Sequence, residues 1–146
     1  MFSKACQYGI KAVIYIWVQS LSGARVGAKE IAVHVDAPEP FTAKILQDLV
    51  RKKIVGSQKG PNGGFYVDKS HEKFTLKNLV SAIDGDGLFS GCSLGLRECS
   101  EENPCPLHSE IKKVRNHVLE MLTKKTLREL ALEVNNGETV LSRLIG

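Results

Sequence analysis

The chain has 146 residues, which corresponds to one domain or to one small domain with an extension. Hydrophobic residues make up 42% and charged residues 25%, and this balance excludes general disorder. The net charge of +4 is unevenly distributed, because residues 1–83 hold twelve basic and six acidic side chains whereas residues 84–146 hold eight and ten. The basic first part predicts an anionic partner for that part of the chain.

The N-terminal sequence indicates neither membrane insertion nor export. The longest uninterrupted apolar run is residues 12–18, whereas a membrane-spanning helix needs about 20 such residues. No small-residue cleavage site follows this run, so a signal peptide is not predicted. We therefore expect a cytoplasmic protein, and in that compartment four cysteines seldom form structural disulfides.

The first half of the chain is predicted to contain three helices. Residues 5–20 form a first helix that is apolar on nearly every side, which indicates packing between the body of the domain and a second surface such as another subunit. A loop over residues 21–27 leads to a short amphipathic helix over residues 28–35. Two prolines in residues 36–40 end that helix and begin a third, which runs to about Lys52. The inward stripe of the third helix is Phe41, Ile45, Leu46 and Leu49.

A glycine-rich hairpin follows the three helices. Two short strand candidates, residues 54–58 and 65–68, are joined by residues 60–64, and such a glycine cluster favours a tight turn. Lys59 lies at the tip of this turn. The order of helix, helix-turn-helix and hairpin is that of a winged helix-turn-helix, and the short linker at residues 36–37 fits its tight turn.

The second half of the chain is predicted to be helical around one irregular loop. Thr75 caps a helix over residues 76–83, and a loop rich in Gly, Ser and Cys follows. Pro106 opens a long helix that reaches about Thr123, and a capping box begins a last short helix. A long helix with one apolar seam outside a compact domain is typical of a dimerisation helix. The seam consists of Ile111, Val114, Val118, Met121 and Leu122, and the capping box is Thr126 with Glu129.

Basic and hydrogen-bonding side chains cluster on the third helix and the hairpin. In a helix-turn-helix the N-terminal part of the second helix lies in the major groove, close to the base edges. Lys44 and Gln47 carry donors that base edges accept, and Lys59 is placed to reach a phosphate or the minor groove. We therefore predict DNA binding, with a solvated charged face as the alternative. The candidate contacts are Glu39, Pro40, Thr42, Ala43, Lys44, Gln47 and Arg51 on the helix and Lys59, Gly60, Asn62 and Gly63 in the wing.

Three cysteines lie close together in the irregular loop, at Cys92, Cys99 and Cys105. Three soft sulfurs with the imidazole of His108 suit zinc or an iron–sulfur cluster. Structural zinc sites usually take cysteines in pairs about two to four residues apart. Gaps of six and five residues therefore favour a cluster, with a reversible disulfide or inert thiols as alternatives. If Pro106 is the first helical residue, Cys105 is the N-cap, near the positive end of the helix dipole.

These patterns predict a fold that is mainly α with a small β-hairpin wing, a winged helix-turn-helix followed by a long C-terminal dimerisation helix. Residues 1–83 form the predicted DNA-binding domain and residues 84–106 the cysteine-rich loop. Residues 107–146 form the predicted dimerisation helix and tail. Cys6 lies apart from the loop, on the first helix, and is predicted to be a small buried hydrophobe.

Several segments of the chain match one known family. They are the helix start at residues 4–12, the wing at residues 59–65, a helix segment at residues 79–84, the three cysteines with Cys105–His108, and the closing residues 126–130. On these motifs the sequence resembles the IscR/NsrR family of bacterial winged-helix transcription regulators, many of which carry an iron–sulfur cluster. The resemblance implies a homodimer, a cluster near the dimer interface and a DNA affinity that depends on the state of the cluster.

The resemblance also bears on the ligands and the operator. In IscR-like members the fourth ligand is a histidine three residues after the last cysteine, and this position corresponds to His108. In some nitric-oxide sensors it is an acidic residue of the partner subunit's first helix, and Gln7 at the matching position is a poor ligand. Histidine ligation favours [2Fe–2S] over [4Fe–4S]. Family members that read bases with a glutamate at the position of Ala43 imply a different operator for this chain.

Three hypotheses follow. The leading one is a homodimeric, non-enzymatic DNA-binding regulator whose iron–sulfur cluster senses iron–sulfur supply, nitric oxide or redox state. The second is a cluster-free regulator of the same fold, controlled by a partner protein or by thiol oxidation. The third is an iron–sulfur electron carrier, which leaves the basic wing unexplained. The expected partners are double-stranded DNA and a second copy of the chain, without a membrane or a small-molecule substrate.

Overall fold

The computed structural model describes residues 1–141. It is mostly helical with one two-stranded antiparallel hairpin, which confirms the predicted fold class. Single turns of 3-10 helix lie at Lys69–His71 and Gly87–Phe89. The remaining elements are α1 (Lys4–Leu21), α2 (Ala28–Val35), α3 (Glu39–Arg51), β1 (Gly56–Gln58), β2 (Gly64–Tyr66), α4 (Leu76–Asp84), α5 (His108–Lys124) and α6 (Leu127–Asn135).

Helix α1 runs through the centre of the domain. Its side chains are buried over most of their surface because α2, α3, β2, α4 and α6 all pack against it. Gly9 lets α4 approach closely, since a Cβ at this position would overlap the Ile83 side chain. Helix α6 of the same chain therefore covers one side of this apolar helix.

Helices α2 and α3 form the helix-turn-helix. Asp36 ends α2 in the left-handed conformation, with φ of 54°, and the chain turns at once toward α3. Pro40 lies within the first turn of α3, where its missing N–H has no helical partner to lose. Phe41 does not belong to the inward stripe, because it is 38% exposed and packs edge-on against Tyr8. The side chains of α3 that are buried are Thr42, Ile45, Leu46 and Leu49.

The wing is a short hairpin with a third backbone segment attached. Strand β1 is shorter than predicted, because Ile54 and Val55 lie in the core. Strand β2 begins at Gly64, one residue earlier than predicted, and ends at Tyr66. Val26, predicted to lie in a loop, forms an antiparallel bridge with Phe65. Gly64 makes this approach possible: its φ is 137°, and a Cβ there would lie 2.8 Å from the backbone of Val26.

Helix α5 packs beside the N-terminal end of α1 rather than over the centre of the domain. Val118 and Leu122 join Cys6 and Val80 in a second small core, so the prediction of a buried Cys6 is confirmed. The predicted apolar seam is divided between two directions. Val118 and Leu122 face the domain, whereas Val114 and Met121 are 59% and 49% exposed.

Helix α6 returns to the main core. Thr126 caps it by accepting a hydrogen bond from the Glu129 N–H, and Leu127 and Ala131 are buried with α1 in the main core. The N–H of Leu127 also donates to the carbonyl of Phe74. Residues 1–83 and α6 thus share one core, while the division of the chain at residue 107 remains a prediction. The end of the predicted tail, residues 142–146, lies outside the described residues.

Candidate functional site

The exposed face of α3 presents most of the predicted DNA contacts. Glu39 and Pro40 lie in the first turn, and Lys44, Gln47 and Arg51 follow at intervals of three or four residues. All five side chains are exposed, because the opposite face of the helix is buried on the core. Such spacing places them along one side of the helix. This face can therefore enter a groove of DNA without disturbing the packing of the domain.

Thr42 is a correction to the predicted contact set. Its side chain is 2% exposed, and its hydroxyl donates a 3.0 Å hydrogen bond to the carbonyl of Pro38. The hydroxyl satisfies a backbone group at the start of α3, so it serves the turn rather than a base or a phosphate. Ala43, the next residue, is half-buried.

The cations at the end of α3 have different surroundings. Arg51 forms an ion pair with Asp48 one turn earlier, and both side chains remain exposed. A surface pair of this kind contributes about 0–1 kcal/mol, so it leaves the guanidinium free to exchange Asp48 for a phosphate. Lys52 is directed elsewhere, because its ammonium donates to the carbonyl of Ala82 near the end of α4.

The tip of the wing projects from the domain beside α3. Lys59, Gly60 and Asn62 are exposed, and Gly60 has φ of 105°. Gly63 is partly covered, and a Cβ at this position would overlap the Gln58 carbonyl, so the turn requires glycine there. A groove runs between α3 and the wing, lined in part by Gln47, Arg51, Ser57, Gln58 and Lys59.

The tertiary structure adds Arg25 to this surface. Arg25 is exposed and its guanidinium lies 5.5 Å from the ring centroid of Tyr66 in β2. The bridge between Val26 and Phe65 brings it to the wing. Sequence reasoning missed Arg25 because a single bridge leaves no alternation of apolar residues that a pattern could reveal.

The three loop cysteines converge as predicted. The sulfurs of Cys92, Cys99 and Cys105 all lie within 4.8 Å of one another, and the Cys92 and Cys105 sulfurs are 3.7 Å apart. Left-handed glycines help the loop to curl, with φ of 79° at Gly91 and 75° at Gly95. All four cysteines of the chain are free thiols.

His108 joins the thiols from the first residue of α5. Its Nδ1 lies 3.3 Å from the Cys99 sulfur. The predicted cap is wrong, because Leu107 rather than Cys105 is the N-cap of α5. Cys105 instead lies in the turn before the helix, where its carbonyl accepts a 3.0 Å hydrogen bond from the His108 N–H. The turn brings the histidine ring back toward the sulfurs.

The cysteines differ in acidity for identifiable reasons. Backbone N–H groups of Leu96 and Leu94 lower the pKa of the Cys92 thiol to about 7. The N–H of Cys105 also acts on Cys99, but burial and the neighbouring thiols leave the pKa of Cys99 above its usual range. Burial, reinforced by Asp84, raises the pKa of Cys6 to about 12. Metals bind thiolates, so the lowered pKa of Cys92 favours the form of that thiol which a metal requires.

The donor set fits a thiophilic metal centre. Three converging sulfurs and one imidazole nitrogen supply four ligand atoms, which suits zinc or an iron–sulfur cluster. The sulfurs come from a single loop and the nitrogen from the helix that follows it. A group bound there would join the loop to α5.

A winged helix-turn-helix whose third helix leaves its polar face exposed is the architecture of DNA-binding transcriptional regulators. A model of the Rrf2 family, described as an iron-dependent transcriptional regulator, matches residues 2–133. The chain belongs to the Rrf2 family, which confirms the resemblance to IscR/NsrR-type regulators. It is therefore a regulator rather than an enzyme.

The chain is similar to known regulators along most of its length. It is 29% identical over 133 residues to a protein of Aquifex aeolicus assigned as an HTH-type transcriptional regulator, covering 89% of this chain and 90% of that protein. It is 24% identical over 134 residues to the HTH-type transcriptional regulator IscR of Pectobacterium carotovorum, covering 92% and 79%. The structure of CymR, the global cysteine regulator of B. subtilis, superposes with a TM-score of 0.73 at 20% identity, covering 90% and 95%.

The lengths and hydropathies of the helices can be compared with those of membrane-spanning segments. Within residues 1–141, no helix is long and apolar enough to span a membrane.

Proposed function

We propose that the chain is a homodimeric transcriptional regulator whose affinity for its DNA operator is controlled by an iron–sulfur cluster. The observation that carries the proposal is the convergence of three cysteine sulfurs within 4.8 Å, in a family described as iron-dependent. Cys92, Cys99, Cys105 and His108 would hold the group. When bound, it supplies a cross-link that responds to redox state, nitric oxide or iron–sulfur supply.

Helix α3 and the wing would contact the DNA operator. Lys44 and Gln47 carry donors for base edges, while Arg51 and Lys59 are placed for phosphates. Glu39, Pro40 and Ala43 lie at the N-terminal end of α3, and Gly60, Asn62 and Gly63 let the wing backbone approach the duplex. Because binding to an operator requires access to DNA, we expect the protein in the cytoplasm.

The ligand set favours one type of cluster. The cysteine gaps of six and five residues differ from the closely spaced pairs of structural zinc sites. His108 provides an imidazole as the fourth ligand from within the same chain, whereas Gln7 is a poor ligand. We infer a [2Fe–2S] centre from this ligand set, as the resemblance to IscR-like members implies.

The homodimer rests on α5. The exposed side chains of Val114 and Met121 are apolar, and they face away from the domain, whereas Val118 and Leu122 pack against it. Pairing of two α5 helices would cover these side chains and fix the distance between two α3 helices. DNA half-sites must match that distance, which is roughly one helical turn.

The coupling between the two sites runs through α4. The cysteine loop begins where α4 ends, and Lys52 at the end of α3 bonds to Ala82 in the last turn of α4. A loop held against α5 fixes α5 relative to α4. A loop that is released lets α5 shift, which changes the distance between the two recognition helices.

One experiment tests the proposal directly. The protein is purified without oxygen, its visible spectrum is recorded, and its binding to its own promoter is measured before and after nitric oxide. We expect a coloured protein that bleaches and changes its affinity for the promoter. A colourless protein after anaerobic reconstitution that still binds the promoter tightly would contradict the cluster and favour a cluster-free regulator.

The cluster-free regulator is the second candidate. The Cys92 and Cys105 sulfurs are 3.7 Å apart, which is close enough for a disulfide after a small movement. Formation of that bond would transfer two electrons and two protons to an oxidant such as a peroxide. The likeness to the fold of CymR is compatible with this candidate. A promoter affinity that changes with peroxide in a colourless protein would support it.

A further inference from the structure

A carboxylate lies directly behind the histidine of the candidate metal centre. His108 Nδ1 faces the sulfurs, 3.3 Å from Cys99 Sγ, while its Nε2 lies 3.2 Å from Oε1 of Glu101. The bond made by one ring nitrogen of a histidine decides whether the other is free to bind a metal. Glu101 therefore lies on the side of the ring that faces away from the thiols.

The chemistry of the pair fixes the position of the ring proton. An ionised carboxylate only accepts hydrogen bonds, so the Nε2 of His108 must carry the proton that lies between them. A neutral ring has one such proton, and this leaves Nδ1 as a lone-pair donor directed at the sulfurs. The tautomer is thereby the one that a metal among the sulfurs requires.

A second side chain holds Glu101 in this place. Lys112 lies one turn after His108 on α5, and its ammonium bonds to the same Oε1. The carboxylate therefore connects the cysteine loop to two positions of one helix face. Glu102, the next residue of the loop, is exposed and forms no side-chain hydrogen bond or ion pair within residues 1–141. The contact is thus specific to Glu101.

We propose that Glu101 is a positioning residue of the metal centre, which accepts a hydrogen bond from His108 Nε2–H and presents Nδ1 as the ligand atom. The inference rests on the proposed function in that it takes His108 as the fourth ligand. Carboxylates of this kind orient histidines at many metal sites, and their removal typically lowers metal affinity about 10–100-fold.

Metal affinity is the first test. Co²⁺ is titrated into anaerobic apo-protein, and the sulfur-to-cobalt absorption gives Kd. We expect Glu101→Ala to weaken Co²⁺ binding at least about tenfold, and Glu101→Gln, which keeps an acceptor oxygen, to recover part of the loss. Glu102→Ala is the matched control and should bind like the wild type. Equal affinities for Glu101→Ala and the wild type would overturn the proposal.

The ring proton is the second test, because a purely structural role would leave it unchanged. In the Zn²⁺-loaded protein, proton–nitrogen NMR follows the Nε2–H of His108. We expect this proton to exchange slowly with water in the wild type and in Glu102→Ala, and much faster in Glu101→Ala. An exchange rate that is the same in all three proteins contradicts a hydrogen bond to Glu101.

The two proposals fail in different ways. A wild-type protein that takes up no iron–sulfur cluster on anaerobic reconstitution contradicts the proposed function, while the Co²⁺ and Zn²⁺ measurements still decide the role of Glu101. If the wild-type protein takes up the cluster but Glu101→Ala leaves both Co²⁺ affinity and proton exchange unchanged, only the proposed role of Glu101 is contradicted.

Discussion

Val26 and Phe65 exchange two backbone hydrogen bonds. The N–H of Val26 donates to the Phe65 carbonyl at 3.1 Å, and the N–H of Phe65 donates to the Val26 carbonyl at 2.7 Å. The pair ties the wing to the segment before α2, so hydrogen bonds join the hairpin to the segment that leads into the helix-turn-helix. Gly64 stands beside this pair because no other residue fits there without strain.

Gly64→Ala should destabilise the wing. The new Cβ would lie 2.8 Å from the Val26 backbone at a φ of 137°, a combination that we expect to cost about 1–3 kcal/mol. Urea unfolding measures the free energy, and promoter affinity should fall with it. Gly87→Ala is the control, since a Cβ there meets no atom within 4 Å. Equal destabilisation by both substitutions would argue against the role of the bridge.

Lys59→Ala should weaken DNA binding on every sequence by a similar factor. Lys59 is exposed at the wing tip, where it can displace a counterion from one phosphate. The slope of log K against log salt should therefore fall in magnitude by about 1. Lys113→Ala on α5, which removes a cation outside the reading surface, should leave the slope unchanged. If Lys59→Ala also leaves it unchanged, Lys59 is not a contact.

Thr42 and Gln47 should respond oppositely to substitution. Thr42→Val removes the hydrogen bond to the Pro38 carbonyl and should cost about 1 kcal/mol of stability without changing which operator is preferred. Gln47→Ala removes an exposed side chain, so we expect altered base preference at nearly unchanged stability. Thermal unfolding and a binding selection on randomised operators measure the two effects. A changed base preference in Thr42→Val would return Thr42 to the contact set.

Alkylation of the apo-protein should depend on pH in a different way at each cysteine. Deprotonation makes a thiol reactive, so the modification rate of Cys92 should rise as pH increases through about 7 and fall below it. Cys99, whose pKa is raised, should respond only at higher pH. Cys6, with a pKa of about 12 and no exposed surface, should stay unmodified in the folded protein. Mass spectrometry of peptides resolves the sites, and early modification of Cys6 would contradict its burial.

Val114→Glu should convert the proposed dimer into monomer. Val114 is 59% exposed on the outward side of α5, so the domain itself should tolerate the charge, whereas a paired α5 would have to bury it. Light scattering after gel filtration gives the mass. Asn116→Glu places the same charge two residues further, toward a different side of the helix, and should remain dimeric. If both variants have the same mass as the wild type in solution, α5 does not form the dimer interface.

Much of the fold was predictable because its signals are local. Helical spacing, the prolines at the start of α3, the Thr75 cap and the glycine turn of the wing each act within a few residues of the chain. The wing glycines and the cysteines are likewise determined by their own chemistry, since few residue types permit such turns or bind soft metals.

Features that depend on contacts between residues distant in sequence could not be predicted. The all-round apolarity of α1 indicates burial, but it does not identify α6 as the helix that covers one of its sides. Leu127 and Ala131 return to the core from more than a hundred residues away. Thr42 has a hydroxyl that could contact DNA, but its side chain is buried in the core. Arg25 reaches the wing through a single backbone bridge.

The sequence by itself determined the class of protein and the residue types of its two sites. The tertiary structure decided which of those residues meet, because side-chain packing and backbone pairing join segments that share no local pattern. It brings three sulfurs within 4.8 Å, directs His108 Nδ1 toward them and sets Glu101 behind the ring. The order of residues predicts the ligands, and the fold orients them.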